Sequence, residues 1–201
     1  MEQFINHIGD FFLQLGYIGI FIMMFLEASF FPFPSEIAMI PAGFLVSQGK
    51  MSPLFALLAG TLGSLSGATF NYLLGKYAGR TFLEKFGKYI FLNSKKIDEM
   101  TELFKRKGAL IVFFGRLIPV VRQYISFPPG VSNMNFFKFS LYTGLGSCLW
   151  VGFLEFLGYY YGHNQNAING VILKFKFISL GILIVFGIFI IKKKLQKKST
   201  T

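Results

Sequence analysis

Two short stretches of charge and proline interrupt a chain whose other segments are apolar enough for a membrane. Residues 27–36 place two glutamates around two prolines, and residues 116–122 place two arginines around one proline. Charge and broken backbone are both costly in hydrocarbon, where no water satisfies them. Two interruptions of opposite charge therefore predict a polar, protein-lined site inside the membrane. The residues concerned are Glu27, Pro32, Pro34, Glu36, Arg116, Pro119 and Arg122.

The composition is typical of an integral membrane protein. Only 14% of the 201 residues are charged and 53% are hydrophobic, whereas a soluble domain carries about 25% charged residues. The length suits a single membrane domain over residues 1–201. A net charge of +11 does not indicate nucleic-acid binding, because the basic residues flank apolar segments. The positive-inside rule and anionic lipids account for basic residues in such places.

The first half contains two apolar arms that are each too short to cross a bilayer. Residues 11–26 are uncharged for 16 positions and residues 37–49 for 13, against the roughly 20 that a spanning helix needs. We expect residues 16–49 to form a re-entrant helical hairpin with its tip at the prolines, preceded by an interfacial helix over residues 1–15. The alternative is one crossing helix, a loop and an interfacial helix.

An apolar segment and the most polar segment of the chain follow. Residues 51–75 are uncharged for 25 positions, which predicts a transmembrane helix over residues 51–79. Residues 80–107 hold eight basic and four acidic residues. We therefore expect an amphipathic segment of two short interfacial helices on the cytoplasmic side, with Ser94 as a candidate N-cap.

The second half has a similar layout. Residues 108–135 contain the arginine stretch and form the second predicted re-entrant hairpin. Its tip residues are Pro119, Pro129 and Gly130. Residues 137–162 and 171–191 are predicted transmembrane helices, and the basic tail 192–201 places the C-terminus in the cytoplasm. Counting the spans back from that end makes the two hairpins enter the membrane from opposite faces.

An internal repeat relates the two halves. A shift of 83 residues brings Leu62-Gly63-Ser64 onto Leu145-Gly146-Ser147, and Tyr72 onto Glu155. Pro41-Ala42-Gly43 matches Pro128-Pro129-Gly130 after a further slip of four residues. The predicted fold is an all-α integral membrane protein of two inverted repeats, each a re-entrant hairpin plus a transmembrane helix, with an additional C-terminal transmembrane helix. Secondary transporters have this kind of architecture, with the substrate site between the repeats.

Three motifs together resemble the DedA family of bacterial inner-membrane proteins, which share the VTT domain. The motifs are Glu27…Pro32-x-Pro34-x-Glu36, then Gly63-x-x-x-Gly67…Tyr72-x-x-Gly75-x-x-x-Gly79, and Phe114-x-Arg116-x-x-Pro119-x-x-Arg122…Gly130…Met134. The likeness covers roughly residues 15 to 165. Pro129-Gly130 stands where the family usually has an Ala-Gly pair.

The resemblance implies a multi-pass protein of the bacterial inner membrane that moves lipids between leaflets. Members of the family handle undecaprenyl phosphate or phosphatidylethanolamine, and some depend on the proton motive force. The family's acidic pair and arginine pair match Glu27, Glu36, Arg116 and Arg122. The partners implied are therefore a membrane phospholipid or a polyprenyl phosphate, and protons; a homo-oligomer stays open.

The arginine pair suits a phosphate. Arginine stays protonated and presents a planar fork that matches phosphate oxygens, so Arg116 and Arg122 are the candidate phosphate-binding residues. Alternatively, the arginines pair with Glu27 and Glu36 only to hold the two hairpins together. The two roles can follow one another in time. A phosphate that displaces a carboxylate into a low-dielectric environment would favour protonation of that carboxylate, which would couple transport to a proton gradient.

Glu155 is a further charge within a predicted span. As the repeat partner of Tyr72, it is a candidate second proton site or polar lining. The alternative is a hydrogen bond to Tyr72 or Asn71, or a position near the outer interface.

Three other functional classes compete with lipid transport: a lipid-phosphate phosphatase, a cation or drug antiporter, and a purely structural assembly factor. If the protein were an assembly factor, Arg116→Ala would affect only its abundance, whereas a transporter would lose translocation at normal abundance. A lipid-phosphate phosphatase needs a nucleophile or a metal, but the two histidines, His7 and His163, lie in polar edge segments and form no cluster with aspartate. We therefore expect no enzyme, no metal and no cofactor. A proton-coupled cation or drug antiporter would use Glu27 and Glu36 on the cation, but the arginine pair would repel such a substrate.

Overall fold

The computed structural model describes residues 15–29, 34–79, 94–118 and 121–161, with side chains in the third range from residue 101 onward. All of them lie in the first of two compact units, residues 1–163. Pro32, Pro119, most of the predicted N-terminal interfacial helix, the predicted span 171–191 and the basic tail 192–201 lie outside the described residues.

The described chain is helical, with no strand in these ranges. Two helices of 12 residues come first and a helix of 22 residues follows, continued by a π-helical turn over Gly75–Gly79. A helix of 23 residues, two short helices and a final helix of 26 residues complete the order. We label them α1 (Tyr17–Ala28), α2 (Glu36–Ser47), α3 (Pro53–Leu74), α4 (Ser94–Arg116), α5 (Val121–Tyr124), α6 (Phe127–Val131) and α7 (Phe136–Tyr161).

Helices α3 and α7 are long and apolar enough to cross a membrane. Proline at the first position of α3 is well placed, because the missing N–H there needs no partner. Large apolar side chains at four-residue spacing remain exposed along α7, as a lipid-facing surface requires. They include Leu141, Leu145, Leu149 and Phe153.

Helices α1 and α2 are half-length helices that pack on different long helices. Twelve residues span about 18 Å at 1.5 Å per residue, well short of the roughly 30 Å of a bilayer core. Helix α2 ends in a Schellman motif, in which the Lys50 N–H donates to the Leu45 carbonyl at 2.9 Å and Gly49 takes a φ of 70° that favours glycine. Helix α1 packs chiefly against α3, and α2 against α7.

Helix α4 runs through a boundary that the sequence pattern suggested. The predicted cytoplasmic segment ends at residue 107 and the second hairpin begins at 108, but the helix is continuous from Ser94 to Arg116. Gly108 lies inside this helix, where it faces the side chains of Met134 and Phe104. Thus the first arm of the second predicted hairpin is the end of a long helix, and its second arm consists of the short helices α5 and α6.

Four close backbone contacts cross between the two halves of the chain. At each, a methyl group on a glycine would collide with a carbonyl oxygen of the facing helix, so only glycine fits. The contacts are Gly43 with Glu155 and Gly158 with Ile40, between α2 and α7, and Gly130 with Tyr72 and Gly75 with Phe127, between α6 and the α3 segment. Each half therefore places a short helix against the long helix of the other half.

Candidate functional site

Three charged side chains of the two predicted charged stretches are almost fully buried. Glu27 near the end of α1 is 1% exposed, Arg116 at the end of α4 is 2% exposed, and Arg122 in α5 is 6% exposed. The charges of Arg122, Arg116 and Glu36 all act on the Glu27 carboxylate. The ends of α1 and α4 and the short helix α5 thus bring together charges that are up to 95 positions apart in sequence, from Glu27 to Arg122.

Arg122 contacts three protein side chains. Its Nη2 lies 2.8 Å from Glu27 Oε1 and donates a hydrogen bond of 2.5 Å to the Ser35 hydroxyl. Its guanidinium carbon lies 4.6 Å from the centre of the Trp150 ring, whose indole N–H donates to the same Ser35 hydroxyl at 3.3 Å. Arg122 therefore joins α1, the start of α2 and α7, and a carboxylate balances its charge.

Arg116 is buried and forms no ion pair with any described residue. Its Nη1 donates to the Ser64 hydroxyl at 3.2 Å and its Nη2 to the Ser126 hydroxyl at 3.3 Å. Its Nε is buried without a hydrogen-bond partner, and among the described residues no carboxylate lies within 4 Å of the guanidinium. The stem packs against Gly146 of α7, so the cation is held in place, and the Glu27 carboxylate acts on it electrostatically without forming an ion pair.

The two predicted glutamates are placed differently. The contact of Glu27 Oε1 with Arg122 is not aligned as a hydrogen bond, and Oε2 has no hydrogen-bond partner among the described residues. Glu36 lies in the first turn of α2 and is half-buried; it forms no ion pair within the part of the chain that the structure describes. Of the ion pairs that the sequence suggested between these glutamates and arginines, the described structure contains Glu27–Arg122.

The other residues singled out as hairpin-tip positions lie on both sides of this site. Pro34 is exposed and directly precedes Ser35, the hydroxyl that Arg122 and Trp150 share. Pro129 and Gly130 are buried in α6. The Pro129 carbonyl accepts the Met134 N–H at 2.9 Å, which closes the turn after that helix.

Tyr72 and Glu155 do not contact each other through a hydrogen bond. The Tyr72 hydroxyl donates to the Met134 carbonyl at 2.5 Å, and the ring stacks on Phe139 with centroids 4.7 Å apart. Asn71, the other partner considered for Glu155, donates to the Ala28 carbonyl at 2.7 Å and to the Gln123 carbonyl at 3.3 Å. Glu155 is buried, and its Oε1 has no hydrogen-bond partner among the described residues.

Sequence reasoning missed the neutral polar residues that hold the arginines. These are Ser35, Ser64, Ser126 and Trp150, whereas Asn71 bonds to the Ala28 and Gln123 carbonyls next to Glu27 and Arg122. Two signals were present: Asn71 is an amide in an apolar segment, and Trp150 is the single tryptophan of the chain. Polar side chains inside a span need a partner, so Asn71 and the serines beside the charged stretches are the residues to examine. No group of three potential metal ligands occurs in the described ranges.

Comparison with known proteins identifies the domain and its relatives. The VTT domain model matches residues 33–160. Undecaprenyl phosphate transporter A of Bacillus subtilis is 33% identical over 196 residues, covering 96% of this chain and 97% of the relative. Protein DedA of Escherichia coli is 24% identical over 164 residues, covering 78% of this chain and 74% of the relative.

A differently named relative also aligns along most of the chain. An alkaline phosphatase-like protein of Lactococcus lactis is 31% identical over 189 residues, covering 90% of this chain and 88% of the relative. No solved structure matches the chain. The domain match, the relatives and the two long apolar helices confirm the resemblance drawn from the three motifs. The chain belongs to the DedA family of membrane proteins, which carry the VTT domain.

Proposed function

We propose that this protein moves a phosphate-bearing lipid between the leaflets of the bacterial inner membrane, and that Arg116 receives the phosphate. The observation that carries the proposal is the state of Arg116. It is a buried guanidinium held by two serine hydroxyls, with no carboxylate within 4 Å among the described residues. A buried charge without a counter-ion is unfavourable, and an entering anion would relieve that cost.

Phosphate is the anion that fits this arrangement best. The guanidinium fork matches two phosphate oxygens at once and keeps its charge at all physiological pH values. The hydroxyls of Ser64 and Ser126 hold the fork from opposite helical segments, and each can also donate a hydrogen bond to a phosphate oxygen. Arg116 with its two serines is therefore a preorganised anion site.

The relatives indicate which lipid to test first. The B. subtilis relative named undecaprenyl phosphate transporter A aligns over 96% of this chain, so a polyprenyl phosphate is the first proposed cargo. Phosphatidylethanolamine is the second, because its phosphodiester offers the same guanidinium contact. The exposed leucine and phenylalanine side chains of α3 and α7 suit a hydrocarbon tail that stays in the bilayer.

Arg122 and Glu27 provide a route to proton coupling. When the headgroup binds, its second contact is Arg122, which releases Glu27. The freed carboxylate lies in a buried environment where its second oxygen already lacks a partner, so it takes up a proton, and the proton leaves when Arg122 returns. Glu36, half-buried in the first turn of α2, exchanges that proton with the aqueous side.

We place this site between two inverted repeats, each with a re-entrant hairpin. The crossing contacts support this: Tyr72 and Glu155, and Gly75 and Gly158, are 83 residues apart, while Gly43 and Gly130, and Ile40 and Phe127, are 87 apart. These are the offset and the slip that the sequence repeat contains. The short lengths of α1 and α2 suit the arms of a hairpin that does not cross the bilayer.

The repeat is tested by alanine at the equivalent glycines. Gly43→Ala and Gly130→Ala each push a methyl group into a carbonyl oxygen of the facing long helix. We therefore expect the two variants to lower the free energy of unfolding by similar amounts, of at least about 2 kcal/mol. Gly144→Ala in α7 is the control, because nothing lies within 4 Å of the added methyl group. Strongly unequal losses at the two glycines would contradict equivalent packing in the two halves.

The proposed function is tested by translocation in proteoliposomes. Full-length protein is reconstituted with labelled undecaprenyl phosphate, labelled phosphatidylethanolamine or labelled undecaprenol, with and without an imposed pH gradient. We expect translocation of a phosphate-bearing lipid but not of the alcohol, its loss in Arg116→Met, and its retention in Glu102→Gln, which alters an exposed carboxylate. Equal movement of alcohol and phosphate would refute the proposal, and a rate indifferent to the gradient would refute only the coupling.

Two of the rival functions make different predictions in the same vesicles. An enzyme of the kind suggested by the name of the L. lactis relative would release inorganic phosphate from the lipid, and we expect none. A cation or drug antiporter would exchange protons for a cation through Glu27 and Glu36. The positive charges of Arg116 and Arg122 beside Glu27 disfavour a cation at that place.

A further inference from the structure

A second candidate site lies in a groove between α2, α3 and α7. The groove has a volume of about 580 Å³, within the range of cavities that bind small organic molecules. Its walls are apolar, apart from Glu155 and the hydroxyl end of Tyr159. Neither Arg116 nor Glu27 lines it, so it is separate from the proposed phosphate site.

Glu155 is a buried acid that forms no ion pair with any described residue, and the one lysine in the loop between α2 and α3, Lys50, is exposed. Glu155 is 6% exposed, and its Oε1 has no hydrogen-bond partner within the described ranges. Helices α2 and α3 contain no lysine or arginine, and the one basic residue of α7, Lys138, lies near the opposite end of that helix. The helices that form the groove therefore offer no positive charge to pair with this carboxyl group.

Two aromatic rings beside Glu155 make the groove more favourable for a cation. Phe156 and Tyr159 line the groove and remain 59% and 52% exposed. The faces of such rings attract ammonium and other organic cations, most strongly where water is excluded. A carboxyl group with aromatic neighbours in an apolar groove is the chemistry that recognises a lipophilic cation.

The repeat explains why the groove exists. The counterparts of Glu155, Pro53 and Ala56 at the 83-residue offset are Tyr72, Phe136 and Phe139. In that half, the Tyr72 ring lies 4.7 Å from the Phe139 ring and 5.5 Å from the Phe136 ring, and its hydroxyl is bonded to Met134. Aromatic rings fill that place, whereas smaller residues and a carboxyl group leave the groove open in the other half.

We propose that the groove binds a lipophilic organic cation from the membrane, with the positive charge against Glu155 and the rings of Phe156 and Tyr159. The cation enters from the bilayer, because the ring-bearing wall is exposed on the apolar surface of α7. Its hydrocarbon part lies against Leu57 and Gly152. This binding is independent of the proposed lipid transport.

Binding is tested with tetraphenylphosphonium on the purified full-length protein in phosphatidylcholine nanodiscs. Tetraphenylborate, which has nearly the same shape and the opposite charge, is the matched competitor. We expect saturable binding of the cation at one site per chain, and no displacement by the borate. Displacement by both ions alike, or no saturable binding of the cation, would overturn the proposal.

Two pairs of variants locate the site. Glu155→Gln removes the charge and keeps the shape, and we expect it to weaken binding about tenfold or more, whereas Glu102→Gln leaves it unchanged. Gly152→Leu adds a side chain to a residue that lines the groove, where an added Cβ would meet only Leu57, and Gly144→Leu places the same side chain on α7 where nothing lies within 4 Å of an added Cβ. We expect Gly152→Leu to weaken binding and Gly144→Leu to leave it intact. Wild-type affinity in both Glu155→Gln and Gly152→Leu would refute the proposal.

Discussion

Arg116 and Arg122 are six positions apart and almost equally buried, yet their surroundings differ. Arg122 has a carboxylate at 2.8 Å, a serine hydroxyl and an indole ring. Arg116 has two serine hydroxyls and a buried Nε without a partner. The difference shows that a symmetric pair of charges in sequence divides into one arginine that pairs with a carboxylate and one that is held by serine hydroxyls. In our proposal the second one receives the phosphate.

The division follows from where the helices end. Arg116 is the last residue of α4 and lies against α3 and α7. The chain then bends, and Arg122 belongs to the separate four-residue helix α5, which contacts α1. The break between the arginines therefore directs one toward the serines and the other toward Glu27.

Replacing each arginine by methionine should give the largest difference between the two positions, in the free energy of unfolding. Arg122→Met leaves Glu27 as a buried charge without a counter-ion, so we expect a loss of about 3–5 kcal/mol in the free energy of unfolding. Arg116→Met removes a cation that has no counter-ion, so we expect a loss of no more than about 1 kcal/mol. Denaturant unfolding in mixed micelles measures both, and equal losses would contradict the distinction.

A second substitution shows whether Arg122→Met loses stability through the unpaired Glu27 charge or through lost packing. Adding Glu27→Leu to Arg122→Met removes the carboxylate that lost its partner, so most of the lost stability should return. The same addition to Arg116→Met should restore nothing. A double variant that is no more stable than Arg122→Met alone would show that the Glu27 charge was not the cause.

Replacing each arginine by lysine compares the two positions by the rate of lipid translocation. Arg116→Lys keeps the charge but loses the planar fork, so we expect translocation of the phosphate-bearing lipid to fall by about tenfold to a hundredfold. Arg122→Lys retains a cation for Glu27, and we expect a smaller fall in the same proteoliposome assay. A larger fall for Arg122→Lys than for Arg116→Lys would reverse the assigned roles.

The serine hydroxyls are expected to give the smallest effects. Ser35→Ala removes the hydroxyl that Arg122 and Trp150 share, and we expect it to reduce stability by about 1 kcal/mol. Ser64→Ala frees one arm of the Arg116 fork, so we expect it to reduce the affinity for the phosphate-bearing lipid by about threefold with little change in stability. Unfolding and lipid-binding titrations on both variants measure this, and an exchanged pattern would contradict it.

Much of the helical layout and the charged residues of the site could be predicted from the sequence. The predicted transmembrane helices 51–79 and 137–162 lie within two residues of the long helices Pro53–Gly79 and Phe136–Tyr161. The charges within the apolar segments 27–36 and 116–122 predicted a site that includes Glu27, Arg116 and Arg122, and all three residues are buried. A charge in an apolar segment is visible in one sequence because its cost is local to that segment.

The partners of those charges were not visible, because they depend on contacts between distant segments. Ser35 and Arg122 are 87 positions apart, and Ser64 and Arg116 are 52 apart. Serine is common enough in apolar helices that its presence does not reveal what it faces. The continuity of α4 across residue 107 was also missed, because a change from polar to apolar composition does not end a helix unless the backbone is interrupted.

The central claim is that Arg116 holds a phosphate, and the preference of the protein for phosphate over alcohol tests it most directly. Undecaprenyl phosphate and undecaprenol differ only in the group that Arg116 would contact. Binding of each to wild-type protein and to Arg116→Met in nanodiscs gives the ratio of the two affinities. We predict a ratio of about tenfold or more in the wild type and a ratio near one in Arg116→Met; an unchanged preference in that variant would contradict the account.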